Sequence, residues 1–154
     1  LAWAFARAGR ADSALFGELE AAALQRGMAG YGAHDLSSLA WAYAVARRPS
    51  DRLFRAIAQR AEGELPKASA HVLSNLLWAF PHAGRAAPAL FAAALPHATA
   101  RLGEFSAQEL AMLLWAYAHA GHPAGALFDA AAAHVLASGM LARCSSQGLS
   151  MLGC

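Results

Sequence analysis

The chain has 154 residues, 58 % of them hydrophobic and 14 % charged, with a formal net charge of +2 and a pI near 8.8. That length allows one domain with a sizeable core, and so small a charge excludes the strong positive field of a typical nucleic-acid domain. Cys144 and Cys154 are too few for a zinc site or a disulfide framework, and the uncharged window 110–128 is interrupted by His119, Gly121, His122 and Pro123, short of the about 20 apolar residues of a membrane span.

The first element is the segment Leu1-Ala2-Trp3-Ala4-Phe5. It returns as Leu39-Ala40-Trp41-Ala42-Tyr43, Leu76-Leu77-Trp78-Ala79-Phe80 and Leu113-Leu114-Trp115-Ala116-Tyr117, so the tryptophans stand 38, 37 and 37 residues apart. Such a period marks a repeat architecture. A polar residue precedes Trp by seven places (His34, His71, Gln108), and Leu precedes it by five (Leu36, Leu73, Leu110). The pairs Leu15-Phe16, Leu53-Phe54, Leu90-Phe91 and Leu127-Phe128 follow Trp by twelve and thirteen. A fifth copy starts at Ser145-Ser146-Gln147-Gly148 and puts Cys154 in the Trp slot.

Each copy predicts two helices. The first carries Leu at −5 and −2 from Trp and an aromatic at +2, an i, i+3, i+7 face. Ser106-Ala107-Gln108-Glu109 fits a capping box at its start, with Ser69 and Ser145 in the same slot. Gly9, Gly84 and Gly121 stop it six residues after Trp, where the second copy has Arg47. The second helix is predicted over 13–28, 50–64, 87–101 and 123–140. Pro88 and Pro123 suit its first turn, whereas Pro81 and Pro96 are internal and should kink or shorten their helices. No period-two alternation suggests a strand, and Ala, Leu and Arg favour helix. The expected fold is all-α, a right-handed α-solenoid of tandem helical hairpins with a repeat of 37–39 residues. It forms one array over residues 1–154: a partial repeat, three full ones and a partial one, expected to be a fragment of a longer protein. The strict register of Trp with Leu predicts that the four tryptophans form the buried spine between repeats, rather than base-stacking platforms.

The run Phe105-Ser106-Ala107-Gln108-Glu109-Leu110-Ala111-Met112-Leu113-Leu114-Trp115-Ala116-Tyr117-Ala118-His119-Ala120-Gly121 resembles the core of the octotricopeptide repeat. It is similar too to the helical repeats of FAST-kinase-like and RAP-domain proteins. The resemblance spans nearly the whole chain; Arg47, Gly148 and Cys154 depart from the pattern, and no RAP-like domain is present. It implies an RNA-binding protein of the mitochondrion or chloroplast, acting in processing, stability or translation of organellar transcripts. The partners it implies are single-stranded organellar RNA and other organellar gene-expression proteins. A protein-interaction scaffold, such as an organelle-ribosome component, is the alternative.

Aligning the copies collects candidate contacts. At +7 from Trp stand Arg10, Arg48, Arg85 and His122; at +4 stand Arg7, His82 and His119, with Val45 the exception. Stacked repeats would align them along one edge, at a pitch near ~10 Å, to follow a phosphate backbone. Their position just past a helix C-terminus allows a second explanation, in which cations simply complement the helix dipole. Arg47, Arg48, Arg52, Arg55 and Arg60, opposed locally by Asp51, form a further cluster, with Arg48, Arg52, Arg55 and Gln59 on one face entering the second helix, able to contact phosphates or stack on bases, or to be a solvated face. The polar side chains at the places where modular readers select bases reduce to Ser13, Arg52 and Ser50. Ser37, Ser38, Ser74 and Asn75 lie within the signature helix and are expected to hydrogen-bond locally.

No enzyme is expected. His119-x-x-His122 straddles a helix end and has no carboxylate before Asp129. There is no Gly-rich phosphate loop after a strand and no nucleophile elbow. No catalytic residue, cofactor or metal follows from the sequence.

Overall fold

The computed structural model describes residues 1–10 and 12–140, of Ser13 the backbone alone. The expected fifth copy lies outside the described residues. Within them the chain is all-helical, with no strand: α1 Ala2–Arg7, α2 Ser13–Gln25, α3 Ala33–Val45, α4 Asp51–Glu62, α5 Ala70–His82, α6 Pro88–Ala100, α7 Ala107–Ala120 and α8 Gly125–Ala137.

Local chemistry sets these bounds. Ser69 and Ser106 accept the N–H of Val72 and Glu109 at the starts of α5 and α7, and Glu109 reaches back to the Ser106 N–H at 2.8 Å, completing the capping box. Gly32 heads α3, its N–H bound by Asp35. Asp12 and Ser50 cap α2 and α4 in the same way. At the C-termini, Gly9, Gly84 and Gly121 adopt φ of +67°, +67° and +64°, and Arg47 takes the same left-handed turn at +53°. The next N–H then closes the turn onto the +2 carbonyl: Arg10 to Phe5, Arg48 to Tyr43 and Arg85 to Phe80. This is the two-bond closure that satisfies a helix's last carbonyls.

The odd helices pack in sequence, α1 on α3, α3 on α5 and α5 on α7. The even helices do likewise, α2 with α4, α4 with α6 and α6 with α8, and α3·α4 and α5·α6 contacts join the two rows. Alanine makes the close approach possible. Ala40, Ala42, Ala79, Ala94, Ala98 and Ala116 are fully buried, which gives the alanine content a packing role. Between the rows, one aromatic contact recurs. The +2 ring of α3, α5 and α7 meets the +13 phenylalanine of the preceding copy edge-on: Tyr43 on Phe16, Phe80 on Phe54 and Tyr117 on Phe91, with centroids 5.0, 5.2 and 5.1 Å apart. The two tyrosines also donate to the backbone carbonyl of that phenylalanine, Tyr117 at 2.9 Å. Burial pushes the Tyr43 hydroxyl up to about 12, with the Glu20 charge adding to it, and raises Tyr117 further.

Several boundaries differ from expectation. The even helices end earlier, because α4 and α6 give way to 3-10 turns at Leu65–Lys67 and Leu102–Glu104 that bury Leu65 and Leu102. Pro123 precedes α8 instead of opening it. Pro81 and Pro96 sit inside α5 and α6 without shortening them. Each removes a single helical bond, and burial of Phe80 beside Pro81, and of Ala94 and Ala98 around Pro96, holds the turn.

Candidate binding face on the odd-numbered helices

The tryptophans are not the buried spine. Trp3 is 48 % exposed, and Trp41, Trp78 and Trp115 are half-buried, whereas the +2 residues Tyr43, Phe80 and Tyr117 are buried. The correction follows from helix geometry. At about 100° per residue, positions −2 and +2 both lie about 160° from Trp. The faces of Leu and of the +2 ring therefore turn inward while Trp turns out. The residues sharing its side are −7, −3 and +4. On α3 these are His34, Ser38, Trp41 and Val45; on α5, His71, Asn75, Trp78 and His82; on α7, Gln108, Met112, Trp115 and His119; on α1, Trp3 and Arg7.

Side by side, these faces form one row. Trp3 meets Trp41, and Trp78 meets Trp115, each pair with centroids 6.2 Å apart and rings tilted by 36° and 39°. The +4 residue lies over its own tryptophan. His82 stacks on Trp78 at 4.1 Å and His119 on Trp115 at 3.9 Å, both near-parallel, and the Arg7 guanidinium stands 5.6 Å from the Trp3 ring. Burial lowers the His82 pKa below its ordinary value and the Arg47 charge lowers it further. The His119 Nδ1 lies 2.9 Å from the Trp115 carbonyl.

Alongside the tryptophans runs an open groove of about 560 Å³, crossing all four odd helices and lined by Trp3, Arg7, His34, Ser38, Trp41, His71, Asn75, Gln108 and Met112 among others. Within it His71 binds Glu109 of the next helix (Nδ1 to Oε1, 3.1 Å) and Asn75 on its own (Nε2 to Nδ2, 3.0 Å). Burial raises the Glu109 carboxyl, but hydrogen bonds from Ser106 and His71 outweigh it and hold the pKa below the usual value.

The sequence-predicted residues are distributed over several surfaces. Arg7 and His119 belong to the tryptophan face. Arg85 pairs with Asp51 (Nε to Oδ1, 2.8 Å) and reaches the Pro49 carbonyl. It shares a hollow of about 360 Å³ with Arg55, Gln59 and Glu62, and no residue lines both this hollow and the groove. Arg10 lies beside Phe5, Asp12 and Leu15. His122 packs near the rings of Phe91 and Tyr117, at 6.4 and 5.9 Å. Arg48 and Arg52 are exposed at the entry to α4. Ser50 caps α4 and donates to Glu20; the Ser13 side chain lies outside what is described. Ser74 bonds locally, to the Ala70 carbonyl at 2.9 Å.

Among the described residues no three His, Cys, Asp or Glu side chains come together as metal ligands, and no helix is long and apolar enough to cross a membrane. Residues missed in the sequence are His34, His71, Asn75 and Gln108, together with the tryptophans as surface groups. Their signal was the −7, −3, 0, +4 spacing, which defines a second helical stripe opposite the leucines. A scan against models of known protein families finds no match to this chain, and neither does a search of curated proteins.

Proposed function

We propose that the chain is a right-handed α-solenoid segment of a mitochondrial or chloroplast gene-expression factor, and that it holds single-stranded RNA without catalysis. The observation that carries this reading is the row of partly exposed tryptophans, topped by Arg7, His82 and His119 and bordered by one groove of mixed polar and apolar lining. A base stacked on an aromatic ring contributes about 1–3 kcal/mol whatever its identity. Arg7 on the same face supplies positive charge for phosphates. The resemblance to the octotricopeptide repeat adds the organelle and the RNA class.

All four tryptophans of the chain lie on this face, so intrinsic fluorescence reports its occupancy directly. Titration with an unstructured RNA of about 15 nucleotides is expected to quench tryptophan emission, with an affinity that falls as salt rises. Binding no tighter than millimolar at low salt, or quenching indifferent to salt, overturns the reading.

A protein scaffold is the second reading, favoured by Phe128 and Leu136 on α8, 40 % and 74 % exposed. Partner binding there would leave the fluorescence of the tryptophan row unchanged.

A further inference from the structure

We infer that a bound base stacks on Trp41, and that Trp78 and Trp115, although on the same stripe, are closed to it by the histidines that follow them. This rests on the single-stranded RNA reading above and deepens it by naming the stacking residue.

Stacking needs an open aromatic face. On a helix, side chains four places apart meet. In α5 and α7 the +4 residue is a histidine, long enough to lay its ring on the indole. The centroids are 4.1 Å apart for His82 on Trp78 and 3.9 Å for His119 on Trp115, with the planes only 21° and 22° from parallel. Rings that close are in contact, so a base reaches that face only by displacing the imidazole. In α1 the Arg7 guanidinium holds the same place over Trp3. In α3 the place belongs to Val45. Its two methyls on a stiff χ1 cannot lie flat on an indole as a ring does. Among the described residues Trp3 is the one ring beside Trp41, 6.2 Å away and tilted by 36°.

The groove makes the same division. Trp3 and Trp41 line it, and Trp78 and Trp115 do not. A base on Trp41 therefore lies in the groove, and Arg7 lines the same groove with a charge for its phosphate. Val45, the one departure from the +4 register, thereby acquires a role: it leaves one indole of the row uncovered.

The test uses the intact chain and a labelled, unstructured RNA of about 15 nucleotides, with affinity read by fluorescence anisotropy. Trp41→Leu, which fills the place without an aromatic face, should weaken binding by about 5-fold to 100-fold, the loss of one stacked base. Trp41→Phe keeps a ring and should recover most of that affinity. Trp78→Leu and Trp115→Leu should stay within about twofold of the unmodified chain. Val45→His sets an imidazole over Trp41 as in α5 and α7, and should weaken binding while leaving the indole in place. Circular dichroism establishes that the variants are folded, and Val45→His decides the matter if Trp41→Leu is not. Unchanged affinity in Trp41→Leu or in Val45→His overturns the inference and leaves RNA binding standing. So does an equal loss in Trp41→Phe and Trp41→Leu, or a loss in Trp78→Leu or Trp115→Leu as large as that in Trp41→Leu. Failure of the unmodified chain to bind the RNA overturns both.

Discussion

At the scale of single residues, the +2 aromatic and the tryptophan have opposite fates. Tyr117 is fully buried against Phe91, whereas Trp115 is only partly buried, packed against the core and beneath His119. Tyr117→Ala should therefore cost about 3–5 kcal/mol in urea unfolding, as deletion of a buried ring does, and Trp115→Ala distinctly less. The reverse order would return the tryptophans to the spine. Phe80 makes the same edge-on contact with Phe54 but has no hydroxyl. Phe80→Tyr should gain the bond to the Phe54 carbonyl that its two counterparts make, stabilising the fold by about 1 kcal/mol. An unchanged or lower denaturation midpoint would show that the ring has no room for it.

At the scale of elements, helix ends were the most legible part of the sequence. Ser69, Ser106, Gly9, Gly84 and Gly121 act on backbone groups within one turn, so their effect needs no knowledge of the rest of the molecule. Arg47 is the exception that tests this. It holds φ of +53° where the other copies have glycine. Arg47→Gly should stabilise the chain by about 1 kcal/mol in thermal unfolding. It also removes a charge that depresses His82, so the imidazole should titrate at higher pH in the variant by NMR. In the unmodified chain His82 should titrate below the ordinary value near ~6.5. Its folded pKa is the depressed one, so its contribution to stability is present above the unfolded value. That contribution is lost as pH falls toward the folded value, because the unfolded chain takes up the proton more readily.

At the scale of the whole molecule, the two rows of helices decide which stripe of each helix is covered. Phe54 and Phe91 each join an even helix to the next odd one through the same contact. Loss of either ring should cost about 3–5 kcal/mol and lower the melting temperature; a change under 1 kcal/mol would mean that the rows are held together elsewhere. The predicted cations illustrate the limit of alignment by register. Arg10, Arg48, Arg85 and His122 share a place in the copies and a backbone role or neighbourhood at the helix end. Their side chains nonetheless meet different surroundings, an acidic partner for Arg85 and aromatic rings for His122.

By itself the sequence determined the period, the helices and most of their ends, because caps, left-handed glycines and leucine spacing act within one or two turns. It contained the second stripe as well, His71, Asn75, Trp78 and His82 at i, i+4, i+7 and i+11. Only the tertiary structure decided that this stripe stays partly exposed among the described residues and that side chains from all four odd helices line one groove. It alone brought Glu109 to His71 across 38 positions. The physical reason is that burial belongs to pairs of surfaces: a large aromatic ring is equally compatible with a core and with a binding face until the neighbouring helices are in place.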